Sequence, residues 1–267
     1  MTVSSAADVV DHSGRSERRK AYFISDLHLG APYFSDSREA EMRVVAFLDS
    51  IMQDAAELYL LGDILDYWYE YRNVVPRGFV RFFGKLAEMS DSGIKITWLK
   101  GNHDIWIFDY LPSELGIEVA DGSIVRQVLG KRIEMAHGDG IGGNLRFRCM
   151  RSIFRNRFCQ WLYAGIHPRW TIEFAQRWSR SSRDNGSDMS GVASDLLCGL
   201  RRYCMNALAS GSDVDYFIFG HLHLLVDEKL SGDARMIVLG DWISQFTYAV
   251  FDGREMKVEK YVLQHIL

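Results

Sequence analysis

Glu57-Leu58-Tyr59-Leu60-Leu61-Gly62-Asp63-Ile64-Leu65-Asp66 is an apolar run that breaks on a Gly-Asp turn, with a second carboxylate three residues on. A short apolar run closed by glycine reads as a buried strand, here over 57–61. Residues 21–25 and 94–99 read the same way and run into Asp26 and Gly101. Between these strands lie two segments with helical spacing. One is 38–53, with Met42, Val45, Phe47, Leu48, Ile51 and Met52; the other is 77–91. The strand–helix rhythm predicts a parallel sheet with crossover helices. The second half reads as shorter strands at 123–129, 131–136, 214–219, 225–230, 235–239, 246–251 and 256–262. Gly130-Lys131 and Asp252-Gly253 supply the hairpin turns. The expected fold class is α/β (α+β): a two-sheet β-sandwich flanked by helices.

Polar residues stand where these strands end. Five motifs do so: Asp26-Leu27-His28, Gly62-Asp63-Ile64-Leu65-Asp66, Gly101-Asn102-His103-Asp104, His137-Gly138-Asp139 and Gly220-His221-Leu222-His223. Open α/β sheets place their sites on loops at the carboxyl ends of strands. Asp, Asn and His are the ligand types of a hydrolytic metal centre. A lone Asp-x-His is as often a solvated loop as a ligand pair. Five such motifs in succession, each after a strand and together holding five of the eight histidines, form a specific pattern. His12, His167 and His265 fall outside it and read as surface or packing residues.

In order and spacing, the five motifs resemble those of the calcineurin-like metallophosphoesterase superfamily, across roughly residues 21–252. The resemblance implies two divalent cations, for which the His/Asp/Asn mixture suits Mn²⁺ well, with Fe, Zn and Co as alternatives. It implies Asp63 as the carboxylate between them. Asp26, His28 and His223 would bind one ion, and Asn102, His137 and His221 the other. It also implies catalytic roles for His103, which would meet the scissile phosphate and leaving oxygen, and for Asp66, which would orient His103. An imidazole held by a carboxylate stays protonated longer and can donate to a developing anion. Asp104 and Asp139 are candidates either for supporting ligands or for a plain structural role. The implied chemistry is in-line hydrolysis of a phosphate ester or anhydride.

The 267 residues suffice for one large domain with an insertion. A net charge of −4 gives no general reason to expect nucleic-acid binding. Cys149, Cys159, Cys198 and Cys204 form no CxxC pair and read as reduced thiols. Residues 1–20 are polar, carry mixed charges and have no apolar signal core, so they read as a disordered tail. No apolar run reaches the ~18 residues of a membrane span. The expectation is a cytoplasmic protein, with peripheral contact at the cytoplasmic face of the inner membrane left open.

Residues 145–210 lack strand-like alternation and read as a helical cap inserted between core segments 21–144 and 211–267. Residues 145–183 hold nine arginines against one acid, Glu173, interleaved with aromatic and aliphatic side chains. That composition fits a membrane-surface element, or a cap binding an anionic head group above acyl chains. It also fits a packed helical hairpin with a solvated basic face. Arg155, Arg157 and Arg180 are candidate contacts to phosphate or sugar. Phe154, Trp161 and Trp170 are candidates to line an acyl channel.

Three further stretches sharpen the resemblance. Leu61-Gly62-Asp63-Ile64-Leu65-Asp66-Tyr67-Trp68, Cys159-Gln160-Trp161-Leu162, and Leu239-Gly240-Asp241-Trp242-Ile243 with Tyr248-Ala249-Val250-Phe251-Asp252-Gly253 look like the UDP-2,3-diacylglucosamine pyrophosphatase-like family. The resemblance implies cleavage of a nucleotide-linked lipid to UMP and 2,3-diacylglucosamine 1-phosphate in lipid A assembly. The best-known branch of that family has Arg at the position of His103 and acidic residues at Gly142-Gly143-Asn144; this chain departs from it at both. Two alternatives stand beside this expectation. One is a metal-dependent phosphodiesterase or phosphatase for a soluble substrate. The other is a non-catalytic scaffold, whose mark would be missing ligands. Asp241 and Trp242 read as closing the sheet edge beside the site.

Overall fold

The computed structural model describes residues 18–141, 152–171 and 189–263. In its first half, β1 (Lys20–Ile24), β2 (Ala55–Leu60), β3 (Lys95–Leu99) and β4 (Glu118–Ala120) run parallel. They are connected through α1 (Ser37–Ile51), α2 (Val80–Asp91) and α3 (Tyr110–Leu115). Further strands are β5 (Ile124–Val128), β6 (Lys131–Ala136), β7 (Tyr216–Phe219), β8 (Leu225–Lys229), β9 (Arg235–Leu239), β10 (Thr247–Phe251) and β11 (Met256–Lys260). The first sheet has the order β11-β10-β1-β2-β3-β4, the second β5-β6-β7-β9-β8. The expected two-sheet sandwich flanked by helices is the observed fold.

Side-chain alternation explains the layers. In β1, Ala21 and Phe23 point into the space between the sheets, with Tyr59, Leu99, Ile133, Ile218 and Phe251. Tyr22 and Ile24 point the other way, against Phe47 and Leu48 of α1 and Phe82 and Leu86 of α2. Both faces of such a strand are buried, so it reads as a continuous apolar run. In α1 the buried positions Val44, Phe47, Leu48 and Ile51 follow the helical period, and the Asp36 carboxylate caps the N-terminus by accepting from Arg38 N and Glu39 N. Met42, counted in the apolar stripe from sequence, faces solvent. Helix α2 starts at Val80 rather than 77 because Gly78 and Phe79 take left-handed φ values of 118° and 57°. No side chain of its own caps it; the buried Glu41 carboxylate of α1 accepts from Arg81 N and Phe82 N instead.

The helical stretch expected over 145–210 divides in the described residues. α4 (Arg157–Ala164), with helical turns at 152–155 and 168–171, is largely exposed. α5 (Met189–Ala209) instead buries Leu200 and Cys204 against Phe217, Phe219, Met236 and Val238 on the outer face of the second sheet. It is the crossover between parallel strands β6 and β7, so this part of the stretch is a core layer. The Leu197, Leu200, Cys204, Leu208 stripe is its sequence signal. No helix among the described residues is long and apolar enough to cross a membrane.

Candidate metal centre

The five motifs meet at one mouth because every one leaves the carboxyl end of a parallel strand. Asp26 and His28 follow β1, Asp63 follows β2, Asn102 and His103 follow β3, His137 follows β6, and His221 and His223 follow β7. The loops continue the strand ladder: Asp26 N donates to Gly62 O, His28 N to Asp63 O, and Gly220 N to His137 O. Asp26, His28, Asp63, His221 and His223 all have positive φ, between 45° and 71°. Non-glycine residues rarely adopt this backbone, and such strain concentrates where function requires it. Close approach fixes the glycines of the motifs. A Cβ on Gly101 would overlap the Asp63 side chain, and one on Gly220 would overlap Ser25 and Asp26.

Among the described residues, three side-chain groups bring ligand atoms within 4.8 Å of one another: Asp26/His28/His223, Asp63/His137/His221 and His28/Asp63/His103. His28 Nε2 lies 3.3 Å from His223 Nε2, and His223 Nε2 lies 3.5 Å from Asp26 Oδ1. His137 Nε2 lies 3.3 Å from Asp63 Oδ2 and 3.1 Å from Asn102 Oδ1. Asp63 Oδ2 is also 3.7 Å from His28 Nε2, so this one oxygen faces both halves of the cluster. Ligands about 2.1 Å from a shared cation stand roughly 3–3.5 Å apart. The Asp26 carboxylate provides the sharper test of fit. Its Oδ2 accepts from Ser25 Oγ and His221 N, while Oδ1 is buried with no hydrogen-bond partner. A buried carboxylate oxygen left open between imidazole nitrogens fits a cation.

The supporting hydrogen bonds aim the rings. His28 Nδ1 is 3.1 Å from Asp66 Oδ1 and His137 Nδ1 is 2.9 Å from Leu61 O, so each ring can donate from Nδ1 and turn Nε2 to the cluster. Here the structure differs from the sequence reading of Asp66. His103 Nδ1 lies 2.9 Å from the main-chain oxygen of Asp66 and 3.5 Å from its carboxylate. The carboxylate is closer to His28. Asp104 joins the loops: it accepts from Gly101 N, Ile64 N and Trp98 Nε1. Asp241 likewise accepts from Ile243 N, Ser244 N and Gln245 N, while Trp242 packs on Phe47 and Tyr261.

Charge is balanced inside the cluster. Burial alone would push His137 down, but the Asp63, Asp26 and Asp139 carboxylates lift it to about 10. Burial and the neighbouring His137 charge push His221 down to about 4. Asp63 is held well below the usual carboxylate range, since the charges of His137, His103 and His28 outweigh its burial. Burial raises Asp26.

The cap candidates are placed differently. Arg155 pairs with Asp121. Phe154 packs edge-on to Trp106, with ring centroids 5.6 Å apart. Arg157 opens α4 on the exposed side, and Trp161 and Trp170 are 69% and 65% exposed. Arg180 lies outside the described residues, as do Gly142-Gly143-Asn144. The platform under the cap, Tyr67, Tyr69 and Trp106, was missed from sequence. Its signal is the aromatic run directly after the second and third motifs.

Two mixed sheets, helices outside, and Asp/Asn/His loops converging at the strand ends define a metal-dependent hydrolase of phosphate esters. The calcineurin-like phosphoesterase family model matches residues 19–225, and the chain belongs to that family. It is 41% identical over 258 residues to the UDP-2,3-diacylglucosamine hydrolase of Porphyromonas gingivalis, covering 91% of this chain and 97% of that protein. It is 23% identical over 250 residues to the enzyme of the same name from Shewanella baltica strain OS185, covering 92% and 99%. Among solved structures, a dimetal phosphatase from Danio rerio aligns with a TM-score of 0.44 at 14% identity, covering 91% of this chain and 99% of that one. The family uses divalent metals.

Proposed function

We propose that this chain hydrolyses the pyrophosphate of UDP-2,3-diacylglucosamine, giving UMP and 2,3-diacylglucosamine 1-phosphate, with two divalent cations, Mn²⁺ best suited. The observation that carries the substrate is the 41% identity to the Porphyromonas hydrolase along 97% of its length. Asp26, His28 and His223 would hold one cation and Asn102, His137 and His221 the other, with Asp63 shared. When bound, the cations supply Lewis-acid polarisation of the phosphoryl group and lower the pKa of water. The remaining work falls to protein groups. His103, its side chain 26% exposed, has Nδ1 within hydrogen-bond reach of Asp66 O. Burial lowers its pKa, but the charges of Asp63 and Asp66 outweigh burial and raise it. A protonated His103 would donate to the leaving oxygen.

Phe158, Trp161 and Leu162 stand at helical spacing and exposed on α4, Ile153 and Trp170 are exposed on the turns that flank it, and Arg157 and Arg169 are exposed in the same segment. That mixture supports contact with a lipid–water surface at the cytoplasmic face of the inner membrane. A hydrolase of small soluble esters has no use for such exposed apolar side chains, which counts against the alternative reading. UMP release from UDP-2,3-diacylglucosamine in detergent with Mn²⁺ tests the proposal, with bis-p-nitrophenyl phosphate in parallel. Rapid UMP release is expected. Hydrolysis of the generic diester alone would remove the lipid substrate from the account.

A further inference from the structure

The cap segment is fastened to loops that leave the strand ends beside the metal centre. Trp106 Nε1 donates to Phe154 O at 2.9 Å, and Tyr69 OH donates to Gln160 O at 2.7 Å. Arg155 adds charge to these contacts. Its Nη2 lies 2.7 Å from Asp121 Oδ1, its Nε donates to Asp121 Oδ2 at 3.2 Å, and its Nη1 lies 3.8 Å from Asp139 Oδ2. Both terminal nitrogens are shielded from solvent. Asp121 directly follows β4, and Asp139 stands two residues beyond His137. A planar guanidinium fork presents a fixed set of donors, and here carboxylates of the core face it. The Arg155 side chain is 18% exposed and that of Asp121 47%, so removing Asp121 leaves a covered guanidinium without its nearest carboxylate.

We propose that Arg155 is a positioning residue, a latch that pairs with Asp121 and Asp139 to hold the cap over the centre and so favours the lipid-bearing substrate over small diesters. The substrate half rests on the proposed function; the latch itself does not. Asp121→Asn, Arg155→Gln and the double variant test it in the metal-loaded, full-length protein. The first readout is amide hydrogen exchange across α4, which reports local opening without catalysis. Both single variants are expected to speed that exchange, and Asp121→Glu to restore it. The second readout is kcat/KM. Each single variant is expected to lower it for UDP-2,3-diacylglucosamine about tenfold, through KM, with the double variant no worse, as for two ends of one interaction. Asp121→Asn is expected to keep bis-p-nitrophenyl phosphate turnover within about twofold. A direct phosphate contact by Arg155 gives another pattern: Asp121→Asn keeps wild-type lipid turnover, and exchange in α4 does not move. That pattern overturns the latch. If the wild-type protein never turns over the lipid, the functional reading fails, and the exchange data still decide the latch.

Discussion

Removing the carboxylate of Asp66 separates two accounts of what it does. Asp66→Ala deletes the partner 3.1 Å from His28 Nδ1 but leaves the main-chain oxygen 2.9 Å from His103 Nδ1. His28 and Asp66 are 1% and 6% exposed, so the lost acceptor lies away from bulk solvent. A hydrogen bond to a buried charged group contributes about 1.5–3 kcal/mol. Loss of such a partner behind a metal-ligating histidine typically costs about 10–100-fold in affinity, or ~1.4–2.7 kcal/mol. The two estimates agree. One of the two cation sites should therefore weaken about 10–100-fold. The site containing His137 should hold, because its ring is aimed by the Leu61 carbonyl, which the substitution does not remove. Chelator-competition titration with Mn²⁺ reads both affinities, and turnover measured against Mn²⁺ concentration reads the consequence. Saturating metal should restore most activity. Two wild-type affinities combined with a loss of turnover that metal cannot restore would refute this reasoning and assign the carboxylate to His103.

Other consequences are open to measurement. His137, lifted to about 10 in the metal-free protein, is protonated at pH 8 and must lose its proton to bind a cation. Cation uptake should then release a proton, and apparent affinity should rise up to about tenfold per pH unit below pH 10. Calorimetry in buffers of different ionisation enthalpy checks this, and buffer-independent heats would contradict it. Gly101→Ala places a Cβ on the Asp63 side chain and should abolish tight binding of both cations with the fold retained, as seen by metal analysis and circular dichroism. Leu200→Ala, in the core layer of α5, should cost about 2–5 kcal/mol, whereas Trp161→Ala on the exposed cap should stay within about 0.5 kcal/mol. Denaturant titration compares the two, and equal losses would put α5 and the cap in the same layer.

The sandwich was legible because strands buried on both faces leave continuous apolar runs, and the motifs were legible because each polar ligand breaks such a run. Short pieces left no such mark: α3 spans six residues with Pro112 inside it and β4 only three. Pairings across the fold were hidden for a different reason. That Asp66 uses its main chain for His103 and its carboxylate for His28 depends on the left-handed turns at His28 and Asp63, which spacing does not encode. Arg155 read as a substrate contact because its type suits phosphate; only the position of Asp121, 34 residues earlier, reveals the ion pair. The core role of α5 was legible in its apolar stripe, but the basic aromatic stretch before it drew the whole segment into one cap.

The central claim is that Asp26, His28, Asp63, Asn102, His137, His221 and His223 gather two cations. Anomalous diffraction from a Mn²⁺-loaded crystal tests it most directly. Two peaks about 3.5–4 Å apart are expected, with Asp63 between them, His28 and His223 on one and His137 and His221 on the other. A single peak, or a peak ligated by His103, would contradict it.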